Sequence, residues 1–383
     1  MTQGSSVAII GGGISGLTTA FYLKQLKPNW EITLFEKQSA WGGTMRTETV
    51  DGFLFETGSN GFLSSKPYTM DLVRDSGAED LLMRSEDVAR KRFVFTDRLH
   101  RLPESPPAFI KTPLLSWKGK LRVLGEFFVP ASKNPGDETL KQFGDRRLGS
   151  EFTDVFLNAM SAGIFGSQPE DLSVAAAFPL VVRLEQEHGG LFRGMLAKRR
   201  KEAGPGGVLM SFTGGVSTFI EHLVGRIPGE HQLGVGVESI AAEGGRYRLR
   251  SGRGEAEFDK VVLATPAFVA SQLVRDLDEG LAGLLDQIRY APISLVGFGY
   301  ESVSHDLDGF GLLTTRSAGR QVLGVLWDSS IFPDRAPDGR VSLRAMIGGM
   351  RQPELAMREP AELIRMARED IETTMGITED PIT

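Results

Sequence analysis

Three glycines and one carboxylate carry the clearest chemistry in this chain. Gly11-x-Gly13-x-x-Gly16 is followed, twenty residues past Gly16, by Glu36. Gly11 permits a tight turn, Gly13 lets the backbone approach a pyrophosphate, and Gly16 lets a helix pack closely on a strand. The neighbouring N–H groups of Gly12, Ile14 and Ser15, with the positive end of the helix dipole, then face phosphate oxygens. Glu36 at this spacing accepts hydrogen bonds from ribose hydroxyls and would repel a 2′-phosphate, which argues against NADP. The chemistry to expect is the binding of a dinucleotide with free ribose hydroxyls.

The elements needed to place these residues can be read around them. Val7 to Ile10 is a run of apolar residues typical of a buried strand, and the helix opened by the glycines carries Ile14, Leu17, Phe21 and Leu23 on one face. A second strand, Ile32 to Phe35, ends at Glu36, completing a βαβ unit. Behind it, Gly42-Gly43-Thr44-Met45-Arg46-Thr47 supplies a second glycine pair. A generic loop is one reading. The sharper one brings backbone to a long two-part cofactor, with Arg46 beside an anionic or electron-rich portion, and favours FAD over NAD. Asp51 to Gly61 reads as a hairpin strand running into a Gly-flanked loop that can pass close to a flat ring.

Composition narrows the classes. The 383 residues, 41% hydrophobic, can bury a large core in two or three domains. A net charge of −6 provides no general basic surface, so nucleic acid is not an expected partner. The absence of cysteine excludes disulfides, thiolate nucleophiles, Cys-ligated zinc and iron–sulfur clusters. His100, His188, His222, His231 and His305 form no short-spaced pair, and no metal centre is expected. The start, MTQGSS, has neither the basic nor the apolar region of a signal peptide, and no run of about 18 apolar residues could span a bilayer. A cytoplasmic location is expected.

The succession GGGISGL, FEK, GGTMRT and FETGSNGF resembles the flavoprotein superfamily of amine oxidases, phytoene desaturases and protoporphyrinogen oxidases. KRFVF, RLPESPPAF, SAGIFGSQPEDLSVAAAFP, FTGGVSTFIEHL, GFGLL and MIGG, in the same order along the chain, are similar to the protoporphyrinogen/coproporphyrinogen oxidase family within it. The resemblance implies an α/β Rossmann-like FAD-binding domain, discontinuous in sequence, an α+β substrate-binding domain and a mainly helical membrane-associating subdomain. The expected bounds are 1–80 and 205–275, then 81–104 and 276–383, then 105–204. It further implies FAD contacts from Gly11, Gly12, Gly13, Ile14, Ser15, Gly16, Glu36, Lys37, Gly43, Thr44, Arg46, Gly58, Ser59, Asn60, Gly61 and Val237. On pattern alone Val237 is simply a buried valine.

Pro67 to Asp80 has a helical pattern that Gly77 ends. Arg90 to Leu102 reads as a two-stranded ribbon, with Phe93 and Phe95 alternating against Arg92 and Val94 and a turn near Asp97. Composition makes Arg92 a solvated strand arginine; the resemblance pairs it with a tetrapyrrole propionate, which its planar fork can bind through two hydrogen bonds. Between 103 and 135, prolines punctuate apolar segments around Trp117 and Phe127-Phe128, interleaved with Lys111, Lys118, Lys120 and Arg122. These segments read as a helical subdomain facing the core, as an interfacial membrane patch, or as both.

From Asp137 to Arg200 the periodicity is helical, and Gly163 reads as a helix stop. In the family this glycine lies against the substrate. The basic run Lys198 to Lys201 reads as a solvated helix end or a lipid contact, and Gly204-Pro205-Gly206-Gly207 as a linker. Val261 to Pro266 reads as the central parallel strand returning under the dinucleotide. Strands at Ile293 to Tyr300, Gly309 to Thr314, Val322 to Trp327 and Val341 to Ile347 precede a helix from Pro360 to Met375. Phe310, Leu313 and Met346 on those strands are core residues by default; the resemblance makes them apolar walls around tetrapyrrole rings.

The function implied is FAD-dependent oxidation of protoporphyrinogen IX or coproporphyrinogen III to the porphyrin in haem biosynthesis, with dioxygen as acceptor. No proton-transferring side chain is assigned, since the flavin carries the chemistry. An amine oxidase, a carotenoid desaturase, or an inactive porphyrin-binding relative are the alternatives. A peripheral site on the inner face of the cell membrane and a homodimer are compatible with the family. The family continues into a glycine-rich segment against the flavin, whereas this sequence stops at Thr383. The expectation is a fragment or a naturally short protein with altered FAD retention.

Overall fold

The computed structural model describes residues 4–132, 137–201 and 207–383, without the side chains of 198–201. The basic run's side chains and most of the Gly204–Gly207 linker therefore lie outside the described residues. Two compact units are formed, one from Met1–Ser85 with Gly207–Tyr290, the other from Glu86–Gly206 with Ala291–Thr383.

The first unit is organised by a four-stranded parallel sheet in the order Glu230–Leu233, Glu31–Glu36, Ser6–Ile10, Lys260–Leu263. The middle strands are buried on both faces, which is why they read as unbroken apolar runs rather than alternating ones. Val7 and Ile9 face a core with Leu17, Phe21, Leu34, Phe219 and Ile220. Ala8 and Ile10 face the opposite core of Phe35, Ile240, Leu249 and Phe258, supplied largely by the antiparallel strands Val237–Glu243, Arg246–Ser251 and Gly254–Phe258. Lys260–Leu263 pairs only with Ser6–Ile10 among the described strands. It is thus an edge strand and not the central one expected, consistent with its half-exposed Val261 to Leu263.

Thr47–Val50 and Phe53–Glu56 form the hairpin, turning at Asp51 and Gly52, both at positive φ (50° and 84°) as a two-residue type I′ turn requires. Helix Pro67–Ser76 begins on proline and ends at Gly77 in the left-handed region.

The second unit contains a six-stranded sheet in the order Ile293–Tyr300, Val341–Gly348, Val322–Leu326, Gly311–Thr314, Phe93–Phe95, Leu99–Arg101. Only the Gly311–Thr314 and Phe93–Phe95 pair is parallel. Helix Pro360–Met375 lays Leu363, Met366, Ala367 and Ile371 onto one face, beside Val296, Leu312, Val325 and Ala345. Burying each of the larger side chains contributes roughly 1.5–3 kcal/mol. The opposite face carries Val94 and Leu313, packed with Ala159 and Leu114. Hence Val94 and Phe95 are both buried, and the expected alternation along 92–95 fails because the strand is covered on both sides.

The remaining helices pack around Leu115, Val123, Leu140, Phe143, Leu157, Leu184 and Leu191. Their polar centre is a buried ion network. Arg147 meets Glu126 and Glu185, and Glu185 also meets Arg146 at 2.8 Å. Helix Trp117–Leu124 buries Val123 yet leaves Trp117, Leu121 and Leu124 outward, and Phe128 follows them to the surface. Two of the cations interleaved with them are structural. Lys120 is buried and donates to the Ile110 carbonyl, while Arg122 caps the carbonyls of Asp145, Arg146 and Arg147.

Gly163 lies inside helix Asn158–Phe165, which ends instead on Gly166 in the left-handed region. The expected stop is three residues early, because Gly163 does not adopt positive φ and Gly166 does.

Candidate functional site

In the first unit the glycine turn has the geometry its spacing requires. Gly11 has φ 110° and donates its N–H to Phe35 O at 2.8 Å; a Cβ there would lie 2.5 Å from the Ala264 carbonyl oxygen. A Cβ on Gly16 would overlap the Gly11 carbonyl, so the helix can start this close to the turn only with glycine. Helix Ile14–Leu26 begins at Gly13 with no side-chain cap and no acidic residue in its first turn. Its first N–H groups and the positive end of its dipole are left for an external anion.

The second glycine pair packs onto the first. Gly42 donates to Gly12 O at 2.8 Å, and a Cβ on Gly43 would sit 3.3 Å from Gly13 Cα. Thr44 is exposed, and its carbonyl fills the space beside Gly58. Arg46 accepts the Thr57 N–H on its carbonyl at 2.8 Å, while its guanidinium lies 3.8 Å from Glu48. Ser59 Oγ donates to Gly61 O at 3.0 Å. Neither atom of the Asn60 side-chain amide has a partner among the described residues, although both are buried.

At the other end, Glu36 is buried with its two oxygens on the Gly12 and Gln38 N–H groups. Lys37 is exposed, its stem against Gly236. Val235 donates to Glu36 O, and Val237 follows at a bulge in its strand. The candidate cofactor residues thus form one continuous track. A cavity of about 740 Å³ opens beside Ile14, Ser15, Ser59 and Gly61, with Phe62, Phe212 and Phe219 on its apolar side.

Two residues without a sequence-level role belong to this track. Thr265, whose methyl would stand 3.3 Å from a Cβ on Gly11, has a buried hydroxyl without a partner. Trp41 covers Gly12 and stacks edge-on with His231. Thr265 follows a strand end, where a ligand-facing residue is expected in such sheets; nothing in the sequence distinguished Trp41.

These residues fit FAD. An uncapped helix N-terminus suits its diphosphate, Glu36 retains lone pairs for a ribose, and the unpaired Asn60 amide and Thr265 hydroxyl are buried polar groups that a polar ligand would satisfy.

In the second unit the candidate substrate residues gather at one sheet face. The Arg92 guanidinium lies 5.4 Å from the centre of the Phe310 ring, a cation–π contact, and has no carboxylate within ion-pair distance among the described residues. Phe310, expected inside a strand from Gly309 to Thr314, falls just before the observed one, Gly311–Thr314, donating to Lys91 O at 2.8 Å and accepting from Trp327 N–H at 3.0 Å. Leu313, Gly324 and Met346 pair in register across three strands, so the two candidate walls flank a position without a side chain. Gly163 abuts Leu313. Gly324 had no expected role, although a glycine inside a strand marks a close approach.

The model of the flavin containing amine oxidoreductase family matches residues 14–383. Coproporphyrinogen III oxidase of Bacillus subtilis (strain 168) is 29% identical over 400 residues, covering 98% of this chain and 84% of that protein. Protoporphyrinogen oxidase 1, chloroplastic, of Arabidopsis thaliana is 30% identical over 392 residues, covering 95% and 73%. A solved structure from Exiguobacterium sp. 255-15, provisionally named a protoporphyrinogen oxidase, aligns with a TM-score of 0.87 at 26% identity, covering 99% and 85%. The chain belongs to the flavin-containing amine oxidoreductase family, is similar to the porphyrinogen oxidases named above, and is an FAD-dependent oxidoreductase.

Proposed function

We propose that this protein oxidises a porphyrinogen, protoporphyrinogen IX or coproporphyrinogen III, to the porphyrin with dioxygen as acceptor. The observation that carries the reading is Arg92, an arginine without a carboxylate partner, stacked on Phe310 at the sheet that bears Leu313 and Met346. A guanidinium fork binds a propionate through two hydrogen bonds, and flat apolar walls suit a tetrapyrrole. The named relatives support the same substrate class.

FAD, when bound, supplies two-electron oxidation, so the six electrons of porphyrinogen oxidation require three passes. The chain's own residues bind and orient. In this reading Gly11 to Gly16, Gly43, Thr44, Glu36, Lys37 and Val237 hold the nucleotide portion, while Arg46 and Gly58 to Gly61 lie toward the ring. Arg92 fixes one edge of the substrate, and Phe310, Leu313 and Met346 exclude water from its faces. The unit containing the parallel sheet serves the cofactor and the six-stranded sheet serves the substrate.

We also infer contact with a membrane surface through Trp117, Leu121, Leu124 and Phe128, which are 68%, 66%, 54% and 82% exposed. Exposed Lys111 and Lys118 flank them. Among the described residues no helix is long and apolar enough to cross a membrane.

The deciding experiment loads the protein with FAD and follows porphyrin fluorescence as each porphyrinogen, prepared anaerobically, is exposed to air. Enzyme-dependent porphyrin formation is expected. No porphyrin from either substrate, or turnover of amines or phytoene instead, would reject the reading.

A further inference from the structure

We propose that Lys91 and Asp308 are positioning residues: their ion pair clasps two segments together and so holds the Phe310 ring against the Arg92 guanidinium that receives the substrate carboxylate. The inference rests on the porphyrinogen reading above, which gives neither residue a role. Lys91 Nζ meets both carboxylate oxygens of Asp308 at 2.5 Å.

Strand Phe93–Phe95 runs parallel to Gly311–Thr314, with Phe93 opposite Leu312. Arg92 and Phe310 each lie just before their strand, so strand pairing alone does not fix either side chain. Extended backwards, the register sets Lys91 opposite Phe310, and the Phe310 N–H donates to Lys91 O at 2.8 Å. The two segments come this close because residue 309 is glycine. A Cβ there would lie 2.7 Å from the Phe93 ring and 2.9 Å from Lys91 O. Arg92 is tied on its other side, where its carbonyl accepts the Leu102 N–H at 2.8 Å.

The chain leading into Phe310 has no regular structure of its own: residues 301–310 lie between two strands and contain neither helix nor strand. Leu307 is buried at φ 49°, a region that residues with side chains rarely adopt. Its N–H is held by His305 Nδ1 at 3.0 Å, and its carbonyl accepts the Gly309 N–H at 2.9 Å. This bend turns Asp308 outward to Lys91, with the two side chains 58% and 30% exposed. An ion pair so exposed adds little to global stability. Its consequence is local: it fixes the bend to the segment that carries Arg92, two residues before the ring on which Arg92 stacks.

The test uses the FAD-loaded protein with K91M, D308N, K91M/D308N and the conservative K91R, measuring kcat and KM for each porphyrinogen. Each of the first two should raise KM about three- to tenfold with kcat within about twofold, the double variant should be within about twofold of either, and K91R should stay within about twofold of wild type. Opposite KM shifts in K91M and D308N would mean that the pair acts only as local charge near an anionic substrate, and overturn the clasp. So would recovery of K91M by D308N, which would mean that Lys91 merely keeps Asp308 off Arg92, or an unchanged KM in both single variants. Failure of the functional reading is distinguishable, because wild type would then produce no porphyrin. Hydrogen–deuterium exchange still decides the clasp in that case. K91M and D308N should both speed exchange across residues 305–312 about fivefold or more while leaving Ser6 to Glu36 unchanged, and unaltered exchange across 305–312 overturns the proposal.

Discussion

Glu36 Oε2 accepts the Gly12 N–H at 2.7 Å, and Oε1 accepts the Gln38 N–H at 2.7 Å. The carboxylate expected at a ribose is therefore also the tie between the glycine turn and the end of the second strand. E36Q replaces one acceptor with an NH₂ group and leaves a buried backbone N–H unpaired, at a cost of about 1–3 kcal/mol. FAD affinity, measured by flavin fluorescence during titration, should fall roughly tenfold or more together with a lower apo melting temperature. Unchanged apo stability would show that the two backbone bonds contribute nothing.

Arg92 has a ring beneath it and, among the described residues, no carboxylate within ion-pair distance. R92A should raise KM for porphyrinogen about 10- to 100-fold, as expected for a charge-assisted hydrogen bond of about 1.5–3 kcal/mol, and leave FAD binding intact. R92K should recover little of this, because an ammonium lacks the planar fork. Steady-state kinetics decide; equal KM values for the three proteins would remove Arg92 from the site.

Glu126 is fully buried and accepts from Arg147, from Leu191 N–H at 2.8 Å and from Phe192 N–H at 3.2 Å. E126A removes one of the two carboxylates of the buried Arg147, leaving Glu185, and unpairs two N–H groups at the start of helix Leu191–Lys201, costing about 3–5 kcal/mol. Thermal or urea denaturation should show the loss. A change below about 1 kcal/mol would mean that water or a rearranged Glu185 replaces the acceptor.

Leu307 has φ 49°, unusual for a residue with a side chain, and its N–H is held by His305 Nδ1 at 3.0 Å. Burial against Trp327 lowers the His305 pKa below 6.5, with Asp306 opposing. The unfolded chain then binds the proton more readily, so the stabilisation is complete above pH 6.5 and is lost as the pH falls below it. The stability difference between wild type and H305A should shrink from pH 8 to pH 5 in urea titrations. A constant difference would rule out the protonation.

L121E/F128E should abolish co-sedimentation with vesicles containing phosphatidylserine while leaving the fold unchanged, because both side chains are exposed at 66% and 82%. Retained vesicle binding would place the membrane contact elsewhere.

The cofactor half was legible because its determinants are local. A strand, a glycine turn, a helix and a carboxylate lie within thirty-one residues, Ser6 to Glu36, and Gly16 answers to the Gly11 carbonyl within that stretch. The alternation read along Arg92 to Phe95 failed, because whether a strand has one covered face or two depends on elements far away in sequence, here Ala159 and helix Pro360–Met375. The same limit displaced Lys260–Leu263 from the centre of its sheet to the edge, since strand order is a property of pairing partners and not of a segment.

The sequence by itself determined the parallel βαβ unit, the helix boundaries marked by Pro67, Gly77 and Pro360, and through resemblance the residues to examine at the substrate site. Only the tertiary structure decided that Gly163 lies mid-helix against Leu313, that Gly324 leaves the gap between Leu313 and Met346, and that Lys120 and Arg122 serve the fold. The physical reason is range. Turn and cap chemistry acts over a few residues, whereas a slot is defined by which atoms are missing between chains that meet only after folding.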